Sequence, residues 1–203
     1  MIKKTITRII GATGTGKTYF AYQEACELVK NGEHVLFLSN FEDIQQGDLE
    51  KKYIKTVVDL QNIFIEALLM HKSYHVIFPN GELGLESSRA LENNFLQQIS
   101  HKFGSIKNTY LFIDEAQNID EMNLILLLSE VKKYDIKLIL IHQYFDQFSE
   151  KVQSDLDYFG GTGIYFQNFG NEIKRILEKY PYSGKTPDYI ENLKQGQYIV
   201  LEK

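Results

Sequence analysis

Apolar residues along this chain fall into short blocks of two kinds. Residues 6–10, 34–38, 74–78, 109–114, 137–142, 163–167 and 197–202 are compact runs of aliphatic, aromatic and β-branched residues bounded by polar or turn segments, as buried strands are. Between them apolar residues recur at helical spacing. Phe20, Ala21, Ala25, Leu28 and Val29 mark a helix over 18–30, stopped by Asn31-Gly32. Leu60, Ile63, Phe64 and Ala67 mark another over 59–72, with Asp59 as its N-cap, and Leu91, Phe95, Leu96 and Ile99 a third over 86–103. Helices are also expected near 120–134, 148–156 and 171–180. Residues 53–58 read as a further short strand, and the polar stretch 42–52 as a surface loop. Strands alternating with helices predict an α/β fold, a mostly parallel central sheet with helices on both faces. No internal repeat, low-complexity tract or linker divides the chain, so 1–203 is expected to form a single domain.

Directly between the first strand and the first helix stands Gly11-Ala12-Thr13-Gly14-Thr15-Gly16-Lys17-Thr18, followed by Tyr19. This fits G-x-x-x-x-G-K-[ST] at every constrained position and in the required strand–loop–helix order. The glycines let backbone N–H groups face phosphate oxygens, Lys17 neutralises β- and γ-phosphate charge, and the Thr18 hydroxyl is a Mg²⁺ ligand. Residues 11–19 are therefore the expected nucleotide-binding segment. A second Ser183-Gly184-Lys185-Thr186 lacks the earlier glycine, since Lys179 stands there, and Pro187 follows; it is expected to be a loop.

Composition narrows the class. The chain has 203 residues, a net charge of −5 and one cysteine, Cys26, on the apolar side of the first helix. A lone core cysteine offers neither a disulfide framework nor a zinc site. No apolar run has the length of a membrane span, and the N-terminus carries no signal-peptide pattern, so a soluble intracellular protein with no integral membrane segment is expected. The acidic balance disfavours a broadly basic duplex-binding surface. Contact with DNA would rest on local lysines, with Lys51, Lys52, Lys55 and the 102–107 loop as candidates.

The strand 109–113 ends in Asp114-Glu115. At the carboxyl end of a parallel strand, beside the phosphate loop, Asp114 can reach the Mg²⁺ shell and Glu115 can orient or deprotonate a water. The glutamate points to hydrolysis rather than to phosphoryl transfer onto an acceptor hydroxyl. The strand 137–141 runs into His142-Gln143, and Gln143 is placed to touch the γ-phosphate or the lytic water.

Asp114-Glu115, the stretch 127–143 ending in glutamine, the segment 163–166, the helix around 173–177 and the closing 193–200 together resemble the FtsK/HerA superfamily of DNA-pumping ATPases. The resemblance covers essentially the whole chain. It implies a P-loop NTPase of the additional-strand catalytic-glutamate type, RecA-like, that works as a ring. Such rings complete each site with a cation from the neighbouring subunit, most often an arginine about eleven residues before the glutamine, where this chain has Lys132. A lysine keeps the charge and loses the bidentate fork. Lys132, Lys174, Arg175 and Arg89 are the candidate trans-acting cations, Arg8 being inside the first strand.

With the motor core alone and no added barrel or membrane segment, the chain is most similar within that superfamily to the genome-packaging NTPases of turreted icosahedral archaeal viruses. The resemblance implies ATP as substrate with Mg²⁺, and double-stranded DNA bound without sequence specificity. It also implies self-association, a capsid or membrane-shell partner, and residence in the host cytoplasm or with the virion. Two alternatives remain at this point: the same motor in conjugative transfer or DNA-end processing, and a weakly hydrolysing nucleotide-dependent assembly switch. An adenylate-type kinase is disfavoured by Glu115 and by the lack of a recognisable acceptor lid.

Overall fold

The computed structural model describes residues 5–40, 49–102, 104, 108–159 and 161–202. The strands are β1 (Ile6–Ile10), β2 (His34–Ser39), β3 (Glu50–Tyr53), β4 (Tyr74–Ile77), β5 (Thr109–Ile113), β6 (Lys137–His142), β7 (Thr162–Phe166) and β8 (Tyr198–Glu202). The helices are α1 (Lys17–Lys30), α2 (Val57–Leu69), α3 (Asn80–Leu83), α4 (Leu85–His101), α5 (Glu121–Glu130), α6 (Glu150–Phe159), α7 (Asn171–Lys179) and α8 (Pro187–Glu191). Among the described residues the strands form one sheet in the order β3-β4-β2-β5-β6-β1-β7-β8. Every pairing is parallel except that of β7 with β8.

The central strands are apolar on both faces because both are covered. On one side Ile9, Phe37, Phe112, Ile141 and Ile164 pack under Ala21, Tyr22, Ala25 and Cys26 of α1. On the other, Leu36, Leu38, Leu111, Ile113, Leu138 and Leu140 meet Phe95, Leu96 and Ile99 of α4 and Leu124, Leu127 and Leu128 of α5. The alternation within each strand divides these two cores.

Strand β6 lies between β1 and β5. Its register pairs Ile10 with His142 and Ile113 with Leu140, so the ends of all three strands come together at one edge. This is the inserted strand of the catalytic-glutamate class, and it sets Gln143 between the phosphate loop and Asp114-Glu115.

Local chemistry corrects several expected boundaries. Helix α2 is capped by Thr56, not Asp59; the Thr56 side chain accepts from Asp59 N–H and the Asp59 carboxylate accepts from Thr56 N–H, a reciprocal capping box. The short strand is 50–53 rather than 53–58, recruited as an edge by pairing with β4. Residues 183–186 form a loop, as expected, but helix α8 opens directly after it: Thr186 accepts from Tyr189 N–H, and Pro187 occupies the first helical position, where its missing N–H costs nothing. Most of the expected 42–52 loop lies outside the described residues, as do Phe103 and 105–107 of the proposed basic loop. No helix among the described residues is long and apolar enough to cross a membrane.

Candidate active site

The loop after β1 curls through left-handed backbone at Gly14 (φ +77°) and Gly16 (φ +97°), conformations that side chains with a Cβ rarely adopt. Gly11 is needed for another reason: a Cβ there would sit 2.6 Å from Phe166 Cβ. Ala12 N–H donates to the Gln167 carbonyl at 2.9 Å, and Gly196 N–H donates to the Thr15 carbonyl at 2.9 Å, tying the loop to the ends of β7 and β8. Lys17 is buried, and its ammonium donates to the Ala12 carbonyl at 2.9 Å. Burial holds its pKa below the ordinary lysine value, with the charges of Glu115 and Asp114 opposing that shift. Tyr19 is exposed, with its ring on the surface of α1.

Asp114 is almost fully buried; its N–H donates to Leu38 O on β2, and its Oδ1 accepts from Thr18 Oγ1 at 3.2 Å. Burial, and then repulsion from Glu115, push its carboxyl up to about 7. Among the described residues Asp114 Oδ2 has no hydrogen-bond partner. A buried carboxylate with an orphaned oxygen and a hydroxyl beside it fits a hard divalent cation.

Glu115 follows in left-handed backbone (φ +51°), an uncommon state for a residue with a side chain and one that costs about 1–2 kcal/mol. It opens the 3₁₀ turn Ala116–Asn118. There Gln117 Nε2 donates to Glu115 Oε2, and Gln143 Nε2 lies 3.4 Å from both Glu115 oxygens. The structure thus brings residues 11–18, Asp114, Glu115 and Gln143 together at one edge of the sheet. Gln117 was not anticipated; its position two residues past the glutamate, inside a tight turn, was the available signal.

The four candidate cations lie elsewhere. Lys132 is exposed on the turn after α5. Lys174 is 3.9 Å from Glu178, and Arg175 pairs with Asp146 in the same chain. Arg89 donates to Asn118 Oδ1 at 2.6 Å, bracing the turn that carries Glu115. Of the lysines considered for DNA, Lys52 is paired with Glu50 and Glu66, and Lys55 with Glu82 at 2.5 Å.

Behind Asp114 lies a buried polar cluster with no sequence motif. Asn40 Nδ2 donates to Glu92 Oε2 at 3.3 Å, and Ser88 Oγ lies 3.0 Å from Asn40 Oδ1 and 2.6 Å from Phe78 O. Burial pushes Glu92 up to about 8 from an ordinary 4.5; the Asn40 hydrogen bond and Arg89 oppose this, and the Asp114 charge adds to it. With the folded value above the unfolded one, Glu92 favours folding fully below its unfolded pKa, and that contribution is lost as pH rises through about 8. Glu92→Gln removes this term. Its urea midpoint is expected to fall less between about pH 5 and pH 8.5 than that of the parent protein, and identical pH dependence would contradict the assignment.

A shallow groove of about 540 Å³ lined by Tyr189, Asn192, Leu193, Gln197 and Tyr198 opens beside the Gly196–Thr15 contact. No motif marked it, because its residues come from α8, the following turn and β8.

Fold and site together define a P-loop ATPase, a mostly parallel sheet with a phosphate loop, an acid pair and an inserted strand ending in glutamine. The ResIII family model, described as type III restriction enzyme, res subunit, matches residues 3–148, well over half of the chain, and the chain belongs to this family. The match spans the phosphate loop, Asp114-Glu115 and Gln143, and stops before β7.

No curated protein sequence matches the chain. Among solved structures it is similar to the genome packaging NTPase B204 from Sulfolobus turreted icosahedral virus 2 in complex with ATP-γ-S. The identity is 17%, covering 98% of this chain and 92% of that one, with a TM-score of 0.66. It is also similar to the bacterial conjugative coupling protein TrwB, at 12% identity over 98% and 82% of the two chains with a TM-score of 0.67. VirB4 of Thermoanaerobacter pseudethanolicus matches at 12% identity over 98% and 89%, with a TM-score of 0.66. At these identities the likeness bears on fold alone, and the fold is that of a P-loop ATPase.

Proposed function

We propose that this chain is the ATP-hydrolysing motor of a ring that moves double-stranded DNA into a preformed viral capsid. The observation that carries the hydrolytic half of the reading is the meeting of Glu115, Gln143 and the Thr18–Asp114 pair at the mouth of one phosphate loop. Likeness to a genome packaging NTPase over nearly the full length of both chains supports the packaging half. Residues 1–203 would act as one motor domain.

In this reading the backbone N–H groups of 11–18 and the Lys17 ammonium bind the phosphates. Thr18 and Asp114 would hold Mg²⁺, which supplies charge neutralisation between the β- and γ-phosphates when bound. Glu115 accepts a proton from the attacking water, while the Gln143 amide orients that water and responds to loss of the γ-phosphate. Because these groups face the loop from the β5–β6 side, the nucleoside extends toward β7–β8, where the groove at Tyr189, Leu193 and Tyr198 offers an apolar face to a base. A cation from a neighbouring copy completes the site; exposed Lys132 and Lys174 are the candidates least engaged in the fold, with Arg175 and Arg89 behind them. DNA is held by phosphate contacts without base reading, within a ring that docks on a capsid or membrane-shell component in the host cytoplasm.

A second motor role, in conjugative transfer or DNA-end processing, is favoured by the similar TM-score to TrwB and by membership of the ResIII family. Neighbouring genes separate the two: a capsid gene supports packaging, and a relaxase or nuclease gene supports the rival. For either motor, ATP turnover per subunit is expected to rise with protein concentration and with duplex DNA, and to lose its DNA stimulation progressively as salt is raised. Slow turnover indifferent to protein concentration and to DNA would replace the motor with a nucleotide-dependent assembly switch.

A further inference from the structure

The contact between Gln143 and Glu115 is long, 3.4 Å to either oxygen, so the usefulness of Gln143 depends on where its backbone is held. Within the turn that follows β6, the Gln143 and Tyr144 N–H groups donate to Gln147 Oε1 at 3.1 and 2.9 Å, and the 3₁₀ turn Phe145–Gln147 closes on itself. These bonds travel with the turn. They shape it without fixing it to the sheet.

Two buried side chains, one from the β7–α7 connection and one from the first turn of α7, reach across to it. Asn168, fully buried, donates from Nδ2 to the Gln143 carbonyl at 3.4 Å, and its own Oδ1 is held by Phe169 N–H at 3.0 Å. Glu172, 4% exposed, accepts the Phe145 N–H at 3.1 and 3.2 Å with its two oxygens. The residue just before this pair, Gln167, accepts the Ala12 N–H at the start of the phosphate loop. One short segment, 167–172, therefore grips both the loop that would hold the phosphates and the turn that carries Gln143.

Resting on the reading of Gln143 given above, we propose that Glu172, assisted by Asn168, is a positioning residue that sets the Gln143 amide against Glu115 and the reacting water. A carboxyl group is a costly way to satisfy one buried N–H, because removing it from water penalises its charge. That penalty is visible in Glu172, whose pKa is pushed up to about 7 by burial; Phe145 N–H, Arg175 and Arg8 counter the shift, and Asp146 adds to it. What the carboxyl provides is an acceptor for the Phe145 N–H whose two oxygens restrict the turn in two directions at once. Loss of that acceptor frees the backbone at 143–145 while leaving residues 11–18 in place. Rate should suffer and nucleotide binding should not.

The test is a double-mutant cycle on the full chain: Gln143→Ala, Glu172→Leu and the combination, with Glu172→Gln and Asn168→Ala alongside, measuring kcat and KM for ATP. Glu172→Leu is expected to lower kcat by about tenfold or more with KM within about twofold, since misplacement of a catalytic group costs rate steeply. Glu172→Gln, which keeps an acceptor oxygen, should recover most of that loss. In the Gln143→Ala background Glu172→Leu should cost nothing further. Multiplicative losses in the double variant, or an unaltered kcat in a folded Glu172→Leu protein, overturn the proposal. If Glu172→Leu fails to fold, Asn168→Ala carries the same cycle: a kcat loss absent in the Gln143→Ala background supports the proposal, and a multiplicative or absent loss overturns it. An unaltered kcat in Gln143→Ala removes the reading of Gln143 itself, and this proposal with it, which distinguishes the two failures.

Discussion

Replacing Glu115 with glutamine is expected to lower ATP turnover by about 10²–10⁴-fold while leaving nucleotide affinity within a fewfold of the parent protein. The substitution is nearly isosteric, so the left-handed turn at 115 and the contacts from Gln117 and Gln143 can persist. An amide oxygen, however, cannot take the proton that an attacking water must release. Phosphate binding rests on the backbone of 11–18 and on Lys17, neither of which the change touches. Steady-state turnover, together with equilibrium binding of a fluorescent ATP analogue, separates the two effects. Turnover within tenfold of the parent would remove Glu115 from the role of base and leave Asp114 as the remaining acid at the site. Equal loss of binding and turnover would mean instead that the 115–118 turn had collapsed, since the same turn is braced by Arg89 through Asn118.

The largest expected effect on stability belongs to a residue far from any motif. Gly161, just before β7, has φ +132°, and a Cβ on it would lie 2.1 Å from the carbonyl oxygen of Ile6. That oxygen is backbone of β1, so no side-chain rotation relieves the clash. Thr7 pairs with Thr162 in the next position, and the two strands would have to part at their first rung. Gly161→Ala is expected to cost on the order of 3 kcal/mol or more, combining a steric clash with a conformation disfavoured for any residue bearing a Cβ. Urea unfolding monitored by tyrosine fluorescence measures it, and a loss below about 1 kcal/mol would mean that β1 and β7 yield easily at this point. Nucleotide affinity of the surviving folded fraction should also fall. Phe166 and Gln167, at the other end of β7, abut Gly11 and accept the Ala12 N–H, so a displaced β7 withdraws support from the phosphate loop.

Much of the site was legible because its parts are local. Gly14 and Gly16 mark positive backbone angles, Lys17 and Thr18 follow at fixed offsets, and Asp114-Glu115 ends an apolar strand; each signal spans a few residues. The same holds for the strands at 6–10, 109–113 and 137–142, whose density of apolar residues reflects burial on two faces. Boundaries were less legible where one side chain competes with another for a cap. Asp59 reads as the helix-starting residue, and the reciprocal hydrogen bonding that makes Thr56 the cap depends on the backbone geometry of both. Pro187 was misread because proline ends a helix from within yet opens one at its first turn.

For the basic candidates the sequence hides their surroundings. A lysine in sequence is a free charge, whereas Lys52, lying over the Tyr74 ring and paired with Glu50 and Glu66, is already neutralised by neighbours that the sheet brings to it. Arg8 is the strongest case. In the sequence it is a cation within an apolar strand; in the fold it is 1% exposed, 3.3 Å from Asp157 on α6 and 5.0 Å above the Phe145 ring, a buried charge compensated from two other elements.

By itself, then, the sequence determined the classes of element, the phosphate loop and the acid pair, because these depend on residues within a few positions of one another and on how their backbone and side chains meet water. Tertiary structure alone decided that β6 enters between β1 and β5, that Gln143 reaches Glu115, and that residues 167–172 hold both the phosphate loop and the turn after β6. Those outcomes join residues up to about 160 positions apart, through strand pairing and buried hydrogen bonds whose partners exist only once the sheet has closed around them.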